Sequence, residues 1–366
     1  MEQYITLKKE GQVLAFVKPL LTKLTPKFQK GDILSSLKKA GITIVSILLF
    51  LGLWQLGSKA LYNKEADYKI EKALTERGQE AADAERACIE SGDSSCQPNT
   101  LPSPAQVWGS LQSLIADHKV ITADKAAFVE KMAKTNAKLT AQGKNAIVYT
   151  GRASFVDIVL TSIKTVFAGF LLALLIAVPI GIIIGLSPSL RSAFNWFIQI
   201  FKPVSPVVWY LLVFMIVKTL YIGDSSDNAF VISFISVGLC AMWATLVNTA
   251  MGVASVDKDY INVAKVLKLG TFQKVFKVIL PSSLPLIFTG LRITLSVAWM
   301  VLIAIELLAQ SQGLGLFVWE EFQNGANDSN AKIIVAMFVI GIIGFLLDRI
   351  MLSVQNLVSF NKNEMA

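Results

Sequence analysis

The sequence predicts an all-α, polytopic membrane protein. Six transmembrane helices are expected, with a helical segment outside the bilayer between the first and the second. Three observations carry that reading. The 366 residues are 54% hydrophobic and only 16% charged, whereas a soluble domain is nearer a quarter charged. With a mean hydropathy of +0.56, so little charge cannot cover a surface of this size in water. Six apolar runs are long enough to cross a bilayer, and the loops between them divide their Lys and Arg unequally.

The first 39 residues hold Lys8, Lys9, Lys18, Lys23, Lys27, Lys30, Lys38 and Lys39 against Glu2, Glu10 and Asp32. They contain no long apolar run, so no cleavable signal peptide is expected. A basic segment directly before an apolar run stays in the cytoplasm and can lie on anionic membrane lipid; a solvated tail fits the same residues. The first span is expected at 40–61, with its apolar run at 40–56. The others follow at 166–186, 204–220, 229–253, 284–308 and 333–354. A span needs about 20 apolar residues for about 30 Å of hydrocarbon, and the first and third runs are near the short limit. Residues 192–202 are aromatic, which suits the membrane interface. They lead into the third span through the Lys202-Pro203-Val204-Ser205-Pro206 break.

Loop charges set the orientation. With the N-terminus inside, the inside loops carry Arg191, then Lys258, Lys265, Lys268, Lys274 and Lys277 against Asp257 and Asp259. The short outside loops carry Asp224, Asp227, Glu320, Glu321 and Asp328, and no Lys or Arg. This is the positive-inside distribution. It places 154–355 as a core of five spans and returns the tail, 356–366, to the cytoplasm. The formal charge of +8 then belongs to cytoplasmic loops, and no nucleic acid is expected.

The outside segment, 62–153, is rich in Ala, Lys and Glu. Residues 63–90 and 122–141 are full of strong helix formers without Pro. Residues 91–104 read as a loop, and Ser103-Pro104 suits a helix start, with Ser as N-cap and Pro at the first helical position. We read the segment as a small helical cap. Cys88 and Cys96 lie within it; an oxidising compartment lets them pair, and two free thiols are the alternative. Three cysteines and the single His118 make no metal site and no Cys/His catalytic pair. No GxxxxGK[ST] is present, so the chain has no phosphate-binding loop.

Two segments hold candidate functional residues. In the fifth span Thr289, Arg292, Ser296, Trp299, Ile303, Glu306 and Gln310 recur at spacings of three and four, hence on one helical face. A charge at membrane depth is a functional hypothesis by default. Arg292 and Glu306 are too far apart to pair within the helix, so each needs a partner elsewhere, such as Asp348 for Arg292. The fourth span has a weaker stripe of Ser233, Ser236, Cys240, Trp243 and Val247. We take Arg292, Ser296, Trp299, Glu306, Ser236 and Trp243 as lining the route of a small anion, with Arg292 supplying positive potential. The same spacing fits helix–helix contacts glued by polar groups, and Gly181-xxx-Gly185 fits a close-packing face. Lys164 and Lys202 are expected to snorkel.

The second segment is Asp257–Pro281 within the inside loop 254–282, DKDYINVAKVLKLGTFQKVFKVILP. Tyr260, Val263, Val266, Leu267 and Leu269 give it helical periodicity, and Pro281 is expected to end the helix. An amphipathic helix lying on the inner leaflet fits the pattern. The segment also resembles the cytoplasmic coupling loop of ABC importer permeases: Glu-Ala-Ala, three residues, Gly, nine residues, Ile, any residue, Leu-Pro. Here Asn262-Val263-Ala264 opens the motif, Lys268 stands at the Gly position, Val278 at the Ile position, and Leu280-Pro281 closes it. The surrounding sequence is similar to the nitrate/sulfonate/bicarbonate branch of that family. The similar stretches are Leu101-Pro102-Ser103-Pro104, Gly181 to Ser187, Pro203-Val204-Ser205-Pro206, Phe288-Thr289-Gly290-Leu291-Arg292, Ala298-Trp299, Ile305-Glu306, Gly313-Leu314-Gly315 and Trp319-Glu320-Glu321. The Pro-Val-Ser-Pro and Trp-Glu-Glu stretches look most like nitrate permeases, and the enlarged outside segment is not part of the usual pattern.

The resemblance implies a type I ABC importer permease fold in a bacterial inner membrane. It implies a transport subunit rather than an enzyme, with no catalytic residues and no cofactor in this chain. ATP and Mg would be bound by two partner ATPase subunits. A second permease copy and an extracytoplasmic substrate-binding protein or lipoprotein complete the set. Tyr260, Asn262, Ala264, Lys268, Leu269, Gly270 and Phe272 would couple the chain to the ATPase. Nitrate or nitrite is the expected cargo, with taurine, alkanesulfonate, bicarbonate and cyanate as alternatives. An ATP-independent secondary anion transporter is the reading from another class; the lack of inverted repeats counts against it. A membrane enzyme using Glu306, Glu320 or Glu321 lacks an accompanying nucleophile or metal cluster.

Overall fold

The computed structural model describes residues 30–92, 96–220 and 225–358; the basic segment before residue 30 and the tail beyond 358 lie outside them. Among the described residues every regular element is a helix.

The first helix, α1 (Lys30–Arg77), is a single run of 48 residues. Between residues 41 and 61 its apolar side chains, among them Ile42, Val45, Leu48 and Leu53, are exposed, the pattern of a helix that faces lipid. The helix outlasts the apolar run because Ala, Lys and Glu carry it on to Arg77. Gly78, at φ 88, then breaks it, using a backbone region that glycine enters without strain. The helix expected over 63–90 is therefore two pieces, the end of α1 and α2 (Gln79–Ser91). Cys88 and Cys96 are joined by a disulfide, with Cα atoms 6.0 Å apart. The closed loop is sewn onto α1: Lys69 Nζ donates to the carbonyls of Cys96 (3.1 Å) and Gln97 (3.3 Å), and Tyr62 donates to Gln97 Oε1 at 2.5 Å.

The next helix, α3 (Pro104–Ala141), starts where Ser103-Pro104 predicts, with a capping box between Ser103 and Gln106. It runs unbroken through the 122–141 stretch. Val107, Leu114 and Ile121, seven residues apart, form its buried stripe, and α3 packs on the last helix of the chain, described below. A second capping box, between Ser154 and Asp157, opens α4 (Phe155–Leu186). His118 Nδ1 lies 2.9 Å from Ser154 Oγ, and Lys125 pairs with Asp157, so α3 is fastened to the start of α4.

Two further helices, α5 (Pro188–Phe201) and α6 (Pro206–Leu220), meet at 98° across the Pro203–Pro206 break. Among the described residues five helices are long and apolar enough to cross a membrane, and the bent pair makes a sixth if it counts as one. No residue of α5 is buried; Phe194, Trp196 and Ile200 are exposed, as an interfacial helix requires.

The core forms where α7 (Ser225–Ala254) packs on α4. Close approach explains the glycines. A Cβ on Gly181 would stand 2.7 Å from Thr249 Cβ, and one on Gly185 2.6 Å from Val253 Cβ. This is small-residue packing of the kind expected for GxxxG.

After α7 the chain forms α8 (Lys258–Val266) and the short α9 (Thr271–Lys274). A π-helical turn over Val275–Ile279 leads into α10 (Leu280–Ala309). Pro281 does not end a helix, as the sequence suggested; it sits in the first turn of α10. α9, the π turn and α10 form one helical run, Thr271–Ala309, and the wider π turn just before Pro281 accommodates a residue that has no N–H to donate. The back of α10 meets α7 through Thr294 Oγ1, which lies 2.7 Å from Thr245 Oγ1 and donates to Ala241 O at 3.1 Å. The chain closes with α11 (Leu314–Asn324) and α12 (Asn327–Val358). Asn330 Nδ2, near the start of α12, donates to Asn99 Oδ1 at 2.6 Å, which ties the disulfide segment to the α11–α12 turn.

Candidate functional site

The polar face of α10 divides by depth, and each division has a structural cause. In the first half of α10 Arg292 meets Asp348 of α12 in a two-pronged ion pair, Nε to Oδ1 at 2.5 Å and Nη2 to Oδ2 at 2.8 Å. The planar guanidinium fork matches a carboxylate edge. Both side chains stay half-buried and border a cavity of about 480 Å³ with Thr289, Ser296, Met300 and Gln355. Ser296 donates to the Arg292 carbonyl at 3.1 Å, so its hydroxyl turns back on its own helix. One turn further Trp299 gives its indole N–H to Ile340 O of α12 at 3.0 Å.

Glu306 is 1% exposed and holds a different junction. The first N–H groups of α11 need acceptors, and its N-cap, Gly313, has no side chain to offer. Two other helices supply them. Ser162 Oγ of α4 accepts from Leu314 N at 2.9 Å, and Glu306 Oε2 accepts from Gly315 N at 2.9 Å. Ser162 then donates to Glu306 Oε1 at 2.7 Å. A carboxylate at a helix N-terminus also meets the favourable end of the helix dipole. A Cβ on Gly313 would collide with this carboxyl, which accounts for the glycine. Ser162 escaped the sequence reading because one serine in an apolar run carries no pattern.

On α7, Ser233 Oγ lies 3.2 Å from Ser311 Oγ, whereas Ser236 Oγ and Trp243 Nε1 are buried without a hydrogen-bond partner. Trp209 Nε1, on α6, is in the same condition, and its ring centroid lies 6.2 Å from that of Trp243. Trp209 belongs to the segment after Pro206, and nothing in its spacing set it apart. Lys164 places its Nζ 5.1 Å from the Phe230 ring centroid.

The loop after α7 leaves its apolar side chains uncovered. Asp257 caps α8 by accepting from Asp259 N at 3.0 Å. Ala264 is buried, while Tyr260, Val263, Val266, Leu267, Phe272 and Phe276 are exposed, with Lys265, Lys268, Lys274 and Lys277 interspersed. The helix ends in a Schellman turn: Leu269 N bonds to Ala264 O at 3.0 Å and Lys268 N to Lys265 O at 2.9 Å. Such a turn needs a left-handed residue just past the helix, and Lys268 takes φ 48. This is the position at which the motif named above has glycine. Gly270 then caps α9, and the exposed Phe272 and Phe276 rings lie against each other, tilted by 36° with centroids 4.5 Å apart. Asn262 lies within α8.

Residues 177–359 match the family model described as binding-protein-dependent transport system inner membrane component. The chain is 34% identical over 201 residues to the nitrate import permease protein NrtB of Synechococcus elongatus, covering 55% of this chain and 69% of that one. It is 35% identical over 201 residues to the bicarbonate transport system permease protein CmpB of a Synechocystis species, covering 55% and 68%. Among solved structures it is similar to a chain of the MetNI methionine ABC transporter, at 16% identity and a TM-score of 0.47, covering 56% of this chain and 95% of that one.

Proposed function

Because the chain belongs to the family of binding-protein-dependent transport system inner membrane components, we propose that it is the membrane-spanning permease of an ATP-driven importer for a small oxyanion, nitrate or nitrite foremost. Two copies of the chain would enclose the route. Two ATPase subunits carrying ATP and Mg would sit on the cytoplasmic side, and a substrate-binding protein would deliver the anion outside. Both termini would face the cytoplasm, as the lysine-rich inside loops require.

The observation that carries this reading is the α8–α9 segment. Apolar side chains that lie exposed on a short, capped helix need a cover, and the lysines around them suit acidic groups on an ATPase rim. α9 continues through the π turn into α10 with no loop between, and the hydrogen-bonded turn at Lys268 and Leu269 joins α8 to it, so a push on α8 would reach the membrane helix. Tyr260, Asn262, Ala264, Lys268, Leu269, Gly270 and Phe272 would form or support this contact. Within the membrane Ser236, Trp243 and the cavity beside Arg292 and Ser296 would lie on the route. Trp299 and Glu306 would hold the helices that wall it.

Bicarbonate is the second reading, since the bicarbonate permease relative matches at the same level as the nitrate one. The complex reconstituted with its ATPase and binding protein tests both. ATP hydrolysis should rise with one anion of a panel of nitrate, nitrite, bicarbonate, cyanate, taurine and alkanesulfonate. Replacing Lys268 and Leu269 by Asp should abolish the rise. A complex that ignores every anion would refute the proposal.

A further inference from the structure

We infer that the indole N–H groups of Trp209 and Trp243 together form an oxyanion subsite on the route through the membrane, with α5 as its cover. The inference rests on the transport reading above and locates where the anion is held.

Trp209 is 8% exposed and Trp243 3%, and neither Nε1 has a partner. Buried polar groups are bonded in the great majority of cases, so two neighbouring exceptions of one kind call for a cause. Trp299, on the adjacent α10, finds the Ile340 carbonyl, so an indole at this depth can be satisfied. An indole nitrogen donates and never accepts. Two such donors on neighbouring rings, with centroids 6.2 Å apart, suit an electron-rich oxygen, and the N–H groups themselves repel a cation. Hydrogen bonds to an ionised acceptor are roughly twice as strong as neutral ones, and here they would form in apolar surroundings. The two rings pack among Ala173, Ala177, Met242 and Leu246, apolar surroundings in which a hydrogen bond to an anion would be strong. Ser236, two turns from Trp243 on the same face of α7, is another buried group without a partner and extends the row of donors.

The cover is α5. Phe201 stacks on Trp243 at 17° and 6.1 Å, and Phe197 lies 6.1 Å from the same ring. Beyond these contacts α5 reaches the core through Ile198 and through Phe201 on Trp209, and it fully buries no residue of its own, so lifting it leaves the α4–α7 packing in place. It is joined to α6 by the bend at residues 202–205 and to α4 through Ser187, so it can swing only between these two points. Rotation there would uncover both indoles at once.

The test uses the permease–ATPase complex labelled with 5-fluorotryptophan. Trp209→Phe and Trp243→Phe assign the two fluorine signals. Titration with nitrate and with bicarbonate, without binding protein, should move both signals in wild type, while the signal of the exposed Trp108, on α3, stays fixed. Each Phe variant should weaken the anion's effect on the remaining signal about tenfold, the loss of one charge-assisted bond. Site-specific β-(3-benzothienyl)alanine, which puts sulfur in place of N–H at constant ring size, should act like Phe and keeps the test valid if a Phe variant fails to assemble. In liposomes with binding protein, the same variants should change the ratio of uptake rates between the two anions. Unmoved Trp209 and Trp243 signals at anion concentrations that saturate wild-type uptake would overturn the subsite. So would variants with reduced uptake but an unchanged ratio, which marks a packing role. A wild-type complex that imports none of the anions overturns the transport reading, and the subsite with it.

Discussion

Replacing Lys268 by glycine should tighten the loop between α8 and α9. Lys268 holds φ 48 because the two Schellman bonds, at 2.9 and 3.0 Å, require a left-handed residue there. A residue with a Cβ in that region costs roughly 1–2 kcal/mol, from its clash with the following carbonyl. Glycine removes the clash but gives back about 0.5–1 kcal/mol of backbone entropy. The net gain lies between about 0 and 1.5 kcal/mol; a gain of about 1 kcal/mol is about fivefold in the ratio of closed to open turn. Lys268→Val should go the other way, since a β-branched side chain is the worst fit to this region. Chymotryptic cleavage after Phe272, an exposed residue next to the turn, reads the open fraction when opening is fast relative to cleavage. The isolated permease should be cut about fivefold more slowly with glycine and faster with valine. Affinity for the ATPase should follow the same order. Three proteins cleaved at the same rate would refute the argument, because the strain would then not be held at this residue.

Glu306→Ala should destabilise the chain by roughly 2–5 kcal/mol, since it strands the Ser162 hydroxyl and the Gly315 N–H inside the core; thermal denaturation in detergent measures it, and Glu306→Gln should recover part. Arg292→Gln should lower assembly by leaving the Asp348 carboxylate alone at membrane depth, a loss of about 3–5 kcal/mol where such a pair is buried. Arg292→Met combined with Asp348→Leu should restore assembly yet slow anion uptake, and normal uptake in that pair would remove Arg292 from the route. Gly185→Leu should part α4 from α7, where even a Cβ would stand 2.6 Å from Val253; a complex that melts like wild type would contradict the close-packed face.

The all-helical membrane architecture was legible because apolar length and loop charge act over whole segments. The Ser103 and Ser154 caps differ in this respect: the first could be read from Ser-Pro, while the second emerged only with the capping box to Asp157. Breaks were harder to read. Gly78 sits among strong helix formers, and composition averages over a single residue. Pro281 was misjudged because proline breaks a regular helix interior but is accommodated after a wider π turn, and the local sequence does not announce that turn. On α10 the 3–4 spacing placed Arg292, Trp299 and Glu306 on one face but could not show that Asp348, Ile340 O and the α11 N-terminus wait opposite them. Partners contributed by other helices have no periodicity to betray them. For the same reason Trp209 and Ser162 went unnoticed, and the orphaned state of Trp243 became visible only once its neighbours were known.

The bend between α5 and α6 also bears on the lipid around the protein. With 15 residues, α6 is only about 22 Å long at 1.5 Å per residue, against about 30 Å of bilayer hydrocarbon. A segment too short for its bilayer is accommodated by local thinning or by help from its flanks. The exposed aromatic side of α5 would then lie where the membrane dips to meet α6. Transport should therefore respond to acyl-chain length: shorter chains would relieve the mismatch at this one helix, while the longer α4, α7 and α10 would accommodate them by tilting.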